Sequence, residues 1–225
     1  MKKKVRNNKV ILASILALGC LTAASVGFSS WVIAAQDTNA TSNVKVTVAD
    51  VEDHRFKVTA SSDSTIKLGP STEGKYISYS EGKFEEALDF NFKLKFTANG
   101  GSEAFNFTSL GDQSFNIKFS FTNTLNINDD GNEYIKFPSE PSETTIGTIS
   151  KSGFSENSGV TATLSSNVIT YNGKLAWGSY FGGQNPSLLD NSTKVDSYIT
   201  GLNHLKTSLK DNKSFEITVN IEKVV

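Results

Sequence analysis

Residues 90–96 read Phe-Asn-Phe-Lys-Leu-Lys-Phe, with apolar and polar side chains in strict alternation. Residues 115–121, Phe-Asn-Ile-Lys-Phe-Ser-Phe, repeat the pattern. Alternation with a period of two residues is typical of a half-buried β-strand. Each buried phenylalanine contributes about 1.5–3 kcal/mol to stability. The two segments therefore predict the central strands of a β-rich core.

Shorter segments with strand-like composition lie on both sides of this pair. Predicted strands cover residues 44–48, 56–60, 65–68, 76–79, 134–137, 144–149, 160–164 and 214–225. The strand at 214–225 alternates so regularly that we expect it to be an interior or well-paired strand. Many short strands separated by turns favour an antiparallel sandwich or barrel. We predict a single antiparallel β-sandwich domain over residues 44–225.

Two β-hairpins are predicted from turn residues. Asn172-Gly173 separates residues 168–171 from 174–177, and Asn-Gly between two strand-forming segments favours a type I′ turn. The segment Asp129-Asp130-Gly131-Asn132 separates residues 115–127 from 134–137 in the same way.

The hydrophobic period changes near the C-terminus. Apolar residues recur there at spacings of three and four, namely Val195, Tyr198, Ile199, Leu202, Leu205 and Leu209. This spacing predicts one amphipathic helix. Ser192 or Thr193 is the expected N-cap, and Lys206 and Lys210 suit the C-terminal end of the helix dipole.

Residues 10–35 contain no charged side chain and follow five basic residues within the first nine. Such a segment is either a cleaved secretory signal or an uncleaved transmembrane anchor. For a cleaved signal, residues 22–24 and 32–35 supply the small side chains expected near the cleavage site. A third alternative is lipidation at Cys20. All three place the chain after the polar linker 36–43 outside the cytoplasm, secreted or at the cell surface, with residues 10–35 as its membrane contact.

Cys20 is the single cysteine, so the mature chain is expected to have no internal disulfide. About 190 residues can bury enough apolar surface without one. The formal net charge is −1, and acidic and basic residues are interspersed. This pattern excludes the basic surface patch that is typical of a nucleic-acid-binding protein.

The sequence predicts no catalytic, cofactor-binding or metal-binding residue, and no enzyme. The two histidines, His54 and His204, are distant in sequence and have no cysteine partner, which excludes the usual zinc sites. Residues 126–131 resemble the start of an EF-hand, but loop position twelve would be Phe137 rather than an acid. A looser calcium site with Asp129, Asp130 and Glu133 remains an alternative to a plain turn.

Tyr171, Trp177, Tyr180 and Phe181 form an aromatic cluster beside Gly182-Gly183. Exposed aromatic rings on a β-domain can stack on sugar rings, which makes Trp177 and Tyr180 candidate glycan contacts. The alternative is that Trp177 and Phe181 fill the space between the helix and the sheet.

The basic start, the apolar segment ending in Gly27-Phe28-Ser29-Ser30-Trp31, the polar Asp37-Thr38 and the following strands resemble the TasA/camelysin-type secreted proteins of Gram-positive bacteria. The resemblance implies a jelly-roll-like β-sandwich with added helices and a role in the cell surface or biofilm matrix. Ala34-Ala35-Gln36-Asp37 departs from the family by lacking an aromatic residue. No functional residue transfers from the family.

The predicted function is that of an extracellular structural or surface protein that self-associates as a matrix component. Its homo-oligomers or fibres would form through strand edges. The alternative is a glycan-binding surface module whose partner is a cell-wall glycan.

Overall fold

The computed structural model describes residues 40–49, 53, 55–79, 85–99, 101–123, 127–128, 131–138, 143–209 and 214–224. The predictions for the uncharged segment 10–35, His54, Asp129, Asp130 and Lys210 stay predictions, because these residues lie outside the described ranges. Within the described ranges, no helix combines the length and apolar character that a membrane crossing requires.

The described chain is mainly β. Its strands are β1 (Ala40–Val48), β2 (Phe56–Ser61), β3 (Thr65–Leu68), β4 (Asp89–Ala98), β5 (Phe115–Asn123), β6 (Ile135–Lys136), β7 (Thr144–Ser150), β8 (Gly153–Glu156), β9 (Thr161–Ser165), β10 (Val168–Lys174), β11 (Ala176–Trp177) and β12 (Phe215–Lys223). One α-helix, α1, covers Val195–Ser208, and short 3₁₀ helices cover Phe107–Leu110, Ser179–Phe181, Pro186–Leu188 and Ser192–Lys194. β1 begins inside the segment predicted as a linker.

Most of these strands form two large sheets. The six-stranded sheet has the order β3-β1-β12-β5-β7-β8, and the four-stranded sheet has the order β2-β4-β10-β9. β11 and β6 form a separate two-stranded sheet. Pairing is antiparallel except between β1 and β12, which are parallel. β12 lies between β1 and β5, which confirms the interior position predicted for it.

The alternation along β4 and β5 is confirmed by burial. Phe90, Phe92, Leu94 and Phe96 of β4 are buried, as are Phe115, Ile117 and Phe119 of β5. Rings from the two sheets meet edge to face: Phe92 lies 5.6 Å from Phe119 and Phe90 lies 5.5 Å from Phe121, measured between ring centroids. Such pairs add about 0.5–1.5 kcal/mol to the energy of burial. The apolar faces of the two large sheets therefore share one core.

The predicted hairpin at Asn172-Gly173 is wrong. β10 runs through both residues and pairs Asn172 with Asn91 and Gly173 with Phe90. A Cβ at position 173 would lie 2.5 Å from Phe90 Cζ and 2.7 Å from Tyr171 Cε1. Glycine is present because two aromatic rings occupy the space above it, not because the backbone turns.

The second predicted hairpin is also wrong. β6 pairs with β11, with Ile135 opposite Trp177, rather than with β5. No strand covers residues 76–79, where one was predicted, and β8 was not predicted. Strands this short depend on tertiary partners, which local composition does not identify.

The predicted helix is confirmed by α1, whose apolar side chains are buried against the rest of the domain. The predicted cap is wrong by one or two residues: Asn191 Oδ1 accepts hydrogen bonds from the backbone N–H and hydroxyl of Thr193, both at 2.8 Å, and caps the 3₁₀ turn before α1. Lys206 lies in the last turn, as expected.

His204 of α1 is half-buried. Its ring stacks on Tyr134, with centroids 4.7 Å apart, and its Nε2 lies 3.1 Å from the carbonyl oxygen of Ile127. The helix is thus tied to the segment that precedes β6.

Candidate functional site

The outer strands of the two large sheets are the candidate sites for strand addition. They are β3 and β8 in the six-stranded sheet and β2 and β9 in the four-stranded sheet. An outer strand presents backbone N–H and C=O groups that another chain can pair with, and charge, shortness or a covering segment prevents this. The four strands differ in these three respects.

β3 is covered on its outer side. The backbone N–H of Lys67 donates to the carbonyl of Ala87 at 2.8 Å, and the N–H of Ala87 donates back to Lys67 at 3.1 Å. β3 also has only four residues. The bridge to Ala87 uses the backbone groups that an incoming strand would need.

β2 carries charge along and beside it. Lys57 is exposed on the strand, and Asp63 follows it. Arg55, immediately before the strand, binds Asp53 through its guanidinium at 2.5 Å and donates to the carbonyl of Ser109 at 3.0 Å. The hydrogen bond to Asp53 raises the pKa of Arg55. Charges of this kind discourage strand addition.

β8 is short and ends in Glu156. It has four residues and begins at Gly153, whose φ of +100° favours glycine. An incoming strand would find few backbone partners there and a carboxylate at the end of the strand.

β9 differs from the other three because it lacks charge. Its residues read Thr-Ala-Thr-Leu-Ser, and the whole segment 157–173 contains no charged residue and no proline. Thr161, Thr163 and Ser165 are exposed and Ala162 is buried. A β-branched, uncharged segment without proline is the composition that promotes intermolecular strand pairing. The uncharged run could be read from the sequence, but the position of β9 at an edge could not.

The two predicted glycan contacts are engaged within the protein. Trp177 is 4% exposed, and its Nε1–H donates to Glu86 Oε2 at 2.5 Å. Tyr180 is half-buried, and its hydroxyl donates to the carbonyl of Ser197 at 2.8 Å. The Trp177 ring offers no exposed face for sugar stacking.

Phe181 connects the aromatic cluster to α1. Its ring lies 5.2 Å from both Trp177 and Tyr198, edge to face in each case. This packing agrees with the interpretation that Trp177 and Phe181 fill the space beside the helix. The contact between Trp177 and its polar partner Glu86 could not be predicted from the sequence, because 91 positions separate the two residues.

Tyr171 does not belong to this cluster. Its ring packs against Phe92 of its own sheet at 5.0 Å and against Phe119 of the six-stranded sheet at 4.8 Å. Burial raises the pKa of Tyr171 to about 12. It is a core residue between the two large sheets.

An open depression of about 330 Å³ lies on the four-stranded sheet and is lined by residues 89–91 and 172–174. Asp89 and Lys174 form an exposed ion pair across it at 3.8 Å. In the part of the chain that the structure describes, no group of three or more His, Cys, Asp or Glu side chains could hold a metal ion. Glu133, one predicted calcium ligand, instead accepts a hydrogen bond from the backbone N–H of Ser179 at 3.0 Å.

Comparison with known proteins gives no relative: no family model, no curated protein and no solved structure matches this chain.

Proposed function

We propose that the protein is an extracellular structural protein whose two large sheets form a jelly-roll-like β-sandwich and which self-associates through β9. The observation that carries the proposal is that β9 combines an edge position with an uncharged sequence. The uncharged segment at residues 10–35 and the resemblance to TasA/camelysin-type proteins support a location outside the cytoplasm. The proposal involves no enzymatic activity.

Strand addition at β9 would extend the four-stranded sheet. Backbone hydrogen bonds along five residues supply affinity, and the alternating side chains supply specificity. A second copy of β9 is the best-matched partner, since both strands lack charge. Pairing of β9 with β9 is isologous and closes at a dimer. Pairing of β9 with a different edge would be heterologous and would propagate into a fibre.

The test places a lysine at the centre of β9. In Thr163→Lys the new ammonium group stands on the exposed side of the strand, and edge lysines oppose strand addition. Asn172→Lys is the matched control, because Asn172 is also exposed but lies on β10, where it is paired on both sides, with Asn91 of β4 and Thr161 of β9. Circular dichroism checks that both variants keep the β-fold.

Sedimentation velocity over a wide concentration range provides the measurement. We expect the wild-type protein and Asn172→Lys to associate at high concentration and Thr163→Lys to remain monomeric. A wild-type protein that stays monomeric would refute the proposal, as would a Thr163→Lys variant that associates normally.

A glycan-binding module through Trp177 and Tyr180 remains the alternative prediction. It draws no support from the contacts of the two rings, since Trp177 is buried and the hydroxyl of Tyr180 is bonded to Ser197.

A further inference from the structure

The outward face of the four-stranded sheet carries a group of lysines that we call the lysine face: Lys57 on β2, with Lys93 and Lys95 on β4. All three side chains are exposed. Lys95 is opposite Thr59 and Lys57 is opposite Thr97, so Lys57 and Lys95 are diagonal neighbours on one face. Diagonal neighbours have Cα atoms roughly 7–8 Å apart. Lys93 and Lys95 are two residues apart on one strand, roughly 6.5–7 Å.

Hydroxyl side chains surround these lysines. Ser61 of β2 and Thr170 of β10 both stand opposite Lys93, and Thr163 of β9 stands opposite Thr170. The cross-strand row is thus serine, lysine, threonine and threonine. Each member of the row can donate a hydrogen bond outward.

The charge of the lysine face is only partly balanced by the acids that the structure describes. Asp63 reaches Lys93 at 4.0 Å, with the Asp63 side chain 88% exposed. Among the residues that the structure describes, neither Lys57 nor Lys95 has an ion-pair partner within 4.0 Å. Two like charges at the separation of diagonal neighbours repel each other. A bound anion would relieve this repulsion.

The six-stranded sheet pairs two of its outward lysines with glutamates. On its outward face Lys45 lies 3.7 Å from Glu216, and Lys118 lies 2.6 Å from Glu222 and 3.8 Å from Glu143. The hydrogen bond that Lys118 donates to Glu222, with the nearby charges of Glu222 and Glu143, raises the pKa of Lys118. Lys67 of β3 is also exposed without an ion-pair partner among the described residues. Lys57 and Lys95 differ from it because they are diagonal neighbours on one face and lie beside Lys93.

We propose that the lysine face binds a linear polymer that carries phosphate groups along its chain. A flat face with positive charges at regular intervals suits an extended polyanion better than a compact ligand. Lysine ammonium groups bind phosphate oxygens as point charges, without the fixed bidentate geometry that an arginine would impose. The lysine face has no arginine, and the one described arginine, Arg55, is bound to Asp53. Serine and threonine hydroxyls are common additional donors to phosphate oxygens.

The test uses inorganic polyphosphate as the probe and the purified protein, with the double variant Lys57→Gln/Lys95→Gln. The matched control is Lys45→Gln/Lys67→Gln, which removes the same charge from exposed positions on β1 and β3. Affinity is measured by titration at several salt concentrations. Polyglutamate and dextran replace polyphosphate in parallel titrations.

We expect the lysine-face variant to bind polyphosphate on the order of tenfold more weakly at low salt, while the control keeps wild-type affinity. The slope of log affinity against log salt should decrease by about 1.4, for two lost phosphate contacts on a single-stranded polymer. Dextran should not bind, and polyglutamate should bind more weakly than polyphosphate.

Equal losses in the two double variants would overturn the proposal, because binding would then depend only on net charge. Polyglutamate that binds as tightly as polyphosphate would overturn the assignment to phosphate. No binding of polyphosphate at low salt would overturn it entirely. The result is independent of self-association through β9, which the Thr163→Lys variant tests separately.

Discussion

Replacing Asn172 by threonine separates the observed strand from the hairpin turn that its sequence suggests. In β10, Asn172 is exposed and stands opposite Asn91 on one side and Thr161 on the other. In a type I′ turn the same residue would need a positive φ, which is an outlier for a β-branched side chain. The strand and the turn therefore predict changes of opposite sign in the free energy of unfolding of Asn172→Thr.

The expected magnitudes can be stated for both conformations. Strand propensities span about 1 kcal/mol, so Asn172→Thr should raise the free energy of unfolding by up to about that amount. A threonine held at positive φ would instead cost of order 1–3 kcal/mol. A gain in stability is thus incompatible with the turn.

Gly173→Ala tests the packing above the strand. Its Cβ would lie 2.5 Å from Phe90 Cζ and 2.7 Å from Tyr171 Cε1, inside the core. Overpacking of this kind costs typically about 1–3 kcal/mol. The double variant Gly173→Ala/Phe90→Leu should recover part of this cost, relative to Phe90→Leu alone, because leucine removes the ring that the new methyl group meets.

Urea unfolding followed by tryptophan fluorescence measures the stability of the wild-type protein and of the four variants. The free energy of unfolding falls by roughly 1–3 kcal/mol per molar urea. A change of about 1 kcal/mol in stability therefore moves the urea midpoint of unfolding by a readily measured amount. A lower midpoint for Asn172→Thr would refute the strand assignment. Additive effects of Gly173→Ala and Phe90→Leu would refute the steric explanation.

Three further predictions concern the core and the helix. Trp177→Ala should lower the free energy of unfolding by about 3–5 kcal/mol and the half-buried Tyr180→Ala by clearly less; equal losses in urea unfolding would contradict the burial of Trp177. Gly201→Ala should destabilise the protein, because the new Cβ would lie 2.5 Å from Tyr180 Cε1, although alanine gains about 1 kcal/mol of helix propensity. The control Asn203→Ala, at an exposed position of the same helix, should stabilise slightly. A higher melting temperature for Gly201→Ala would disprove the clash. Above pH 10 the unfolded chain releases the Tyr171 proton while the folded chain keeps it up to about pH 12, so stability should fall with rising pH by roughly 1.4 kcal/mol per unit from this group. Tyr171→Phe should lack this contribution in unfolding curves between pH 9 and 12, and an identical pH dependence in both proteins would contradict it.

The strands of the core were predictable from the sequence because their period of two is a local signal. Phe90 and Phe119 alternate with polar residues whether or not their partners are known. Gly173 shows where this reasoning fails, because the sequence does not distinguish a glycine required by a turn from a glycine required by an aromatic ring above it. The ring that decides between them, Phe90, lies on another strand, and only the pairing of β4 with β10 brings the two together.

The candidate site was less predictable, because edge positions follow from strand order. The uncharged run at 157–173 is visible in the sequence, but the order β2-β4-β10-β9 arises from pairings between distant segments. The lysine face depends on the same order. Lys57 and Lys95 are 38 positions apart in the sequence, and the register of β2 against β4 makes them neighbours.

The parallel pairing of β1 with β12 has a consequence for the order of folding. β12 follows every other strand in the chain, yet it separates β1 from β5 at the centre of the six-stranded sheet. Until β12 emerges from the ribosome, β1 and β5 each lack the neighbour that joins them. The closing contact, between Val44 and Phe215, spans most of the chain, and contacts so distant in sequence form slowly. We therefore expect nascent chains that stop before β12 to be sensitive to proteases, with protection gained in one late step.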